Sequence, residues 1–222
     1  MKRIHIPNQG PDKTRLPTAL AVGVHECKQA GAAELALITS VKDNLDSIVI
    51  GEFLGKEASK KLMKGNHMPI GEHGVSLSHY SVATVQNART PSVGLAFYLS
   101  KRDIQKLDDL NFEILIYVPW LDKDGSIWAE KWDAITHGAS DSNNTINLPP
   151  EVQKSLVALT ACVNLSTGLG HPSDKDHAKR KFAALRSAGI TWNACELEKW
   201  AVRNGWKAKD AAELSKLSAK YT

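Results

Sequence analysis

The chain has 222 residues, 42% of them hydrophobic and 23% charged, with a formal net charge of +4. Those values sit near the averages for globular proteins and exclude collagen-like and wholly disordered chains. The longest apolar run, residues 93–99, has strand length and falls far short of the roughly 20 residues that cross a bilayer, so no membrane association is expected.

The basic N-terminus, Met1-Lys2-Arg3, leads into no apolar stretch, which argues against a secretory signal. Cys27, Cys162 and Cys195 are widely spaced and odd in number, so they form neither a disulfide framework nor a Cys-x-x-Cys site. They read as buried small hydrophobes in a cytoplasmic protein.

In chain order, residues 2–6 form a short β-like run that ends at Pro7. A helix follows with Leu16, Leu20, Val24 and Cys27 on one face, Pro17 in its first turn and Gly31 as its stop. Residues 35–39 are a compact apolar strand. A second helix is expected over 45–64, with Gly51 and Gly55 inside it as sites of close packing on a sheet. Residues 75–85 read as a strand.

The clearest strands are 92–99 and 112–118, the latter nearly all apolar, as in a central strand covered on both faces. Between them Ser100 caps a short helix with Asp103 at its third position. After Trp120 a helix carries Trp128, Trp132 and Ile135 on one side. Residues 138–147 are polar and turn-rich.

Beyond Pro150 the pattern is helical throughout. Helices are expected at 151–163, at 173–188 with Ser173 as cap, at 193–204 capped by Asn193, and at 207–220. The expected fold is therefore an α/β layered sandwich with a largely parallel sheet over residues 1–138, a linker at 139–149, and a small all-α helical module at 150–222. Charge divides the same way: residues 1–150 carry a net −1 and residues 151–222 a net +5.

No Gly-x-Gly-x-x-Gly, Walker or Gly-x-Ser-x-Gly pattern occurs. His67, His73 and His79 near Glu72, and His171 with His177, match no zinc spacing, so no metal is expected, and the sequence does not identify a cofactor. The ligand-binding candidates are polar residues at strand ends, where open α/β sheets bind their ligands: Asn8, Ser40, Ser100, Lys101, Trp120 and Asp122. Ser100 with Lys101 suits an anion, because a helix N-terminus attracts negative charge.

The expectation is a protein that binds a small anion or nucleotide and carries a helical interaction module able to take a protein partner. One alternative is a hydrolase or transferase acting on a phosphorylated or nucleotide substrate, whose catalytic residues the sequence does not identify. The other is a nucleic-acid-associated protein using Lys175, Lys179 and Arg186 on one helix face. Against sequence-specific readout, the next helix places Glu196 and Glu198 near its start.

Overall fold

The computed structural model describes every residue except 43–44, 46–48, 71–73, 88–90 and 140–145. The chain divides into two compact units, Met1–Ala129 with Ala134–Ser142, and Glu130–Asp133 with Asn143–Thr222. Much of the stretch read as a linker lies outside the described residues, as do Glu72 and His73.

The first unit is a seven-stranded sheet in the order β3-β4-β2-β5-β6-β1-β7. Its strands are β1 (Lys2–His5), β2 (Glu34–Thr39), β3 (Met68–Ile70), β4 (Val75–Ser81), β5 (Val93–Phe97), β6 (Ile114–Val118) and β7 (Ile135–Thr136). All neighbours pair in parallel except β3, which runs antiparallel along β4. The layered α/β sandwich with a largely parallel sheet is thus the observed fold.

Two layers of helices cover the sheet. On one face α1 (Arg15–Ala30), α2 (Val49–Leu54) and α3 (Lys56–Met63) send Leu16, Leu20, Cys27, Ile50 and Leu62 into a core with Leu35, Leu37, Leu95 and Ile116. The other face, toward which Tyr117 points, carries α4 (Val82–Asn87), α5 (Lys101–Asp108) and α6 (Asp122–Trp132), with Tyr117 edge-on to Trp128 at 5.3 Å. Every residue of β5 and β6 is buried.

Two polar contacts tie α5 and α6 to β1. The fully buried Asp108 carboxylate accepts from Arg3 Nε at 3.0 Å and from Trp128 Nε1 at 2.9 Å. Burial of three polar groups is tolerable here because each finds a partner.

Several elements depart from the sequence expectation. The helix expected over 45–64 is two helices, broken at Gly55. Its φ of 82° and ψ of 157° suit glycine alone, and a Cβ there would meet nothing, so the glycine serves the backbone break rather than close packing. The strand expected over 75–85 ends at Ser81, where Thr84 and Ser81 exchange hydrogen bonds that start α4. Ile135 lies in edge strand β7 and is exposed, not on the buried side of α6. Cys162 and Cys195 are exposed, and Cys27 alone is buried.

The second unit holds α7 (Pro150–Cys162), a 3-10 turn (Gly168–Gly170), α8 (Pro172–Ser187), α9 (Ala194–Arg203) and α10 (Ala208–Ser218). Val152, Leu156, Phe182, Leu197, Trp200, Trp206 and Leu214 form its core. The cap of α8 is His171, not Ser173. Pro172 fills the first helical position, and the imidazole of His171 accepts from the Ser173 amide. Asn193 caps α9 by accepting from Cys195 N at 2.8 Å. No helix among the described residues is long and apolar enough to cross a membrane.

Replacing Ile116, fully buried in β6 between β5 and β1, by Asp should abolish cooperative folding. An unpaired buried carboxylate costs several kcal/mol against a total stability of about 5–15 kcal/mol. A soluble Ile116→Asp protein with a cooperative melt near that of the wild type would contradict the central placement of β6.

Candidate functional site

The chain leaving β1 turns to α1 on one face of the sheet, and the chain leaving β6 turns to α6 on the other. Adjacent parallel strands whose connections diverge in this way leave an opening at their C-terminal ends, the usual place for a ligand in open α/β sheets. Asn8, Trp120 and Asp122 all stand at this opening.

Asn8 is buried and laces the two loops together. Its amide nitrogen donates to Pro119 O at 2.8 Å and to Gly10 O at 2.9 Å. The Gly10 amide in turn donates to Trp120 O at 2.8 Å, and the Asp122 amide to Gln9 Oε1 at 3.2 Å. With both amide hydrogens committed, Asn8 presents Oδ1 as a buried acceptor with no partner.

Two residues that the sequence reading did not single out complete the cluster. Tyr98, just past β5, packs its ring edge-on against Trp120 at 4.9 Å. Its φ of 55° lies in the left-handed region, which a tyrosine enters only when its surroundings impose it. Its hydroxyl is buried beside the Asn8 side chain and the Asp12 amide.

His5, at the end of β1, is 1% exposed. Its Nε2 lies 3.9 Å from Asp122 Oδ1, and both atoms are buried without a hydrogen-bond partner. Burial pushes its pKa down, with the Asp122 carboxylate opposing. Gly125 in α6 packs directly over the His5 ring, so any side chain at that position would overlap it. No motif marks either residue in the sequence. A left-handed tyrosine is invisible there, and a strand-terminal histidine has no distinguishing neighbours.

Ser100 and Lys101 lie two and three residues beyond Tyr98. Ser100 caps α5 by accepting from the Asp103 amide, and its hydroxyl donates to Asp103 Oδ2 at 2.9 Å. The Asp103 carboxylate, paired with Lys106 at 2.7 Å, therefore already stands beside the cap, while Lys101 is exposed. Ser40 lies apart from this cluster, at the end of β2 and exposed.

Near Ser40, at the end of β2, His79 and Thr39 form a second buried polar pair. The Thr39 hydroxyl donates to Val41 O at 2.9 Å and so accepts from His79 Nε2 at 2.8 Å, which fixes the tautomer and leaves Nδ1 as a buried acceptor. His67 pairs with Ser78 at 2.5 Å. Among the described residues no three His, Cys, Asp or Glu side chains come together as a metal site. Burial pushes the Cys27 thiol up to about 11, which keeps it protonated at neutral pH.

In the second unit, an open cleft of 680 Å³ is lined by Cys162, Asn164, Thr167, Gly170, His171 and Asp174. Glu196 pairs with Lys199 at 2.7 Å and Glu198 with Lys131 at 2.6 Å, so both acids of α9 are held in ion pairs.

Burial, with Lys42 adding to it, pushes the pKa of His79 down from 6.5 to about 4. The unfolded chain then takes up the proton first, so this stability is complete above about pH 7 and is lost as pH falls toward 4. His5 contributes in the same direction. Thermal melts should show a loss of about 2 kcal/mol between about pH 7 and pH 5, and His79→Asn should flatten that dependence. An unchanged pH slope in the variant would show that His79 is not buried neutral.

Residues 148–222 match a family model described as a domain of unknown function, DUF1889, which covers the second unit from just before α7 to its end. No curated protein and no solved structure matches the chain.

Proposed function

We propose that the α/β unit binds a small ligand of the nucleoside or nucleotide class at the ends of β1, β5 and β6, and that the helical unit is an interaction module. The observation that carries this reading is the pair of buried acceptors that make no hydrogen bond, Asn8 Oδ1 and Asp122 Oδ1, close to the Tyr98 hydroxyl and an indole that is 44% exposed. Leaving such groups unpaired costs about 1–3 kcal/mol each, a cost that a ligand with matching donors removes.

The chemistry of the cluster favours a hydroxyl-bearing, ring-containing ligand. Asn8 Oδ1 and the Asp122 carboxylate accept hydrogen bonds, as an acid does from ribose hydroxyls in dinucleotide-binding folds. The Asp122 side chain is 48% exposed, while its Oδ1 is buried beside His5. Trp120 and Tyr98 offer aromatic surface for a base. A bare phosphate fits less well, because Asp122 repels it and Asp103 already stands beside the cap of α5. Lys101, on the same strand end, is the cation that would meet a phosphate attached to such a ligand.

The hydrolase or transferase reading would draw on His5 with Asp122 as an acid–base pair. His5 is sealed beneath α6, however, and a general base must reach its proton. Binding is therefore the reading put forward.

A thermal-shift and tryptophan-fluorescence titration with nucleosides, nucleoside monophosphates and triphosphates tests it. At least one member should raise the melting temperature and quench the Trp120 emission that a Trp120→Phe variant lacks. Asp122→Asn should weaken that ligand at least tenfold, about 1.4 kcal/mol. Lys101→Glu should weaken only the phosphorylated forms by that factor. A panel with no hit, or a hit bound equally by Asp122→Asn, would overturn the assignment.

A further inference from the structure

Lys175, Lys179 and Arg186 mark one face of α8 in the sequence, and the fold brings α10 beside that face. A groove of 190 Å³ runs between the two helices, lined by Lys175, Lys216, Lys220, Glu213, Leu169 and Leu217. Arg186 reaches the same end of α10, its guanidinium donating to the Lys220 carbonyl at 3.4 Å. Lys179 on the same face is held in an ion pair with Asp176 at 2.8 Å, and Tyr221 packs on Phe182 with ring centroids 6.2 Å apart. Lys175, Arg186, Lys216 and Lys220 are all exposed.

We propose that this groove between α8 and α10 binds single-stranded nucleic acid through its phosphodiester backbone. Lys175 of α8, Lys216 of α10 and Lys220 just beyond α10 rim a concave surface, whereas the lining contains one acid, Glu213. Lysine ammonium groups act as point charges without the fixed fork of arginine, which suits a repeating phosphate backbone contacted without sequence preference.

The floor decides between strand types. Leu169 and Leu217 are apolar and recessed between the cations. A duplex keeps its bases stacked and offers nothing to fill an apolar floor, but a single strand can turn a base into it while its phosphates meet the rim. The charge balance agrees, since the net +5 of residues 151–222 is carried by the unit that holds the groove. The paired acids Glu196 and Glu198 belong to α9, not to this surface. The inference is independent of the ligand proposed for the α/β unit.

Fluorescence anisotropy with a labelled 20-residue oligothymidylate, using the full chain, tests the proposal. The wild type should bind at about 50 mM salt, with an affinity that falls steeply as salt rises. The double variant Lys175→Glu with Lys220→Glu should weaken binding at least tenfold. The neutral pair Lys175→Gln with Lys220→Gln should lower the slope of log affinity against log salt by about 1.4, the loss of two phosphate contacts. Lys154→Glu on α7, of equal charge change to each single reversal but outside the groove lining, should stay within twofold.

Equal losses from Lys154→Glu and from single reversals at Lys175 or Lys220 would show diffuse attraction to net charge and overturn the site. So would tighter binding of a 20-base-pair duplex or of polyglutamate, or no binding of the oligonucleotide by the wild type. Circular dichroism melts matching the wild type establish that the variants are folded.

Discussion

Strands β5 and β6 are buried along their whole length, because helices cover the sheet on both sides. In such a sheet each inward side chain has to be apolar or to find a polar partner, since an unmatched polar group costs about 1–3 kcal/mol. Polar chemistry is thereby driven to the strand ends, where the chain leaves the layers and backbone groups meet solvent. The position of the candidate site follows from that constraint. Its particular corner follows from topology, since β1 feeds α1 on one face while β6 feeds α6 on the other.

The rigidity of that corner comes from contacts of long sequence separation. Asn8 bonds to Pro119 and the Gly10 amide to Trp120, so two loops more than 100 residues apart hold one another. Deeper in the unit, Asp108 joins Arg3 of β1 to Trp128 of α6. A binding site assembled from loops works best when its scaffold fixes their backbones beforehand. Here the fixing side chain, Asn8, spends its donors on structure and keeps its acceptor. The left-handed Tyr98 is the cost of bringing a third strand end to the same place.

Legibility in the sequence followed how local each signal is. Helix faces such as Leu16, Leu20 and Cys27, and the caps Ser100 and Asn193, depend on neighbours three or four positions away, and the structure carries them. Strand type was readable wherever both faces are apolar, as in β6. The boundary errors arose where two local forces compete. Gly55 ends a helix that its apolar spacing would continue, and the Ser81–Thr84 hydrogen bonds convert β-favouring residues into α4. Of the candidate site, Asn8, Trp120 and Asp122 are legible because each is a polar or aromatic residue in the stretch that follows a strand. Tyr98 and His5 were not, because what singles them out is a dihedral angle and an unpaired buried nitrogen. Edge strand β3 is only three residues long and carries too little pattern to be seen.

The two units differ in how their proposed sites meet solvent, and this gives them different physical responses. Asn8, 3% exposed, acts from within the protein, where salt screens interactions little. The lysines of the α8–α10 groove project into water, where charges are screened beyond about 8 Å at physiological ionic strength. A ligand held by the strand-end cluster through hydrogen bonds should therefore keep most of its affinity as salt rises, whereas a polyanion on the lysines loses its own through counterion competition. Protonation acts the other way, because His5 and His79 lie in the first unit and take up protons only as that unit weakens. Ionic strength thus addresses the helical unit and acid the α/β unit, so the two proposed functions should separate by solution conditions before any residue is changed.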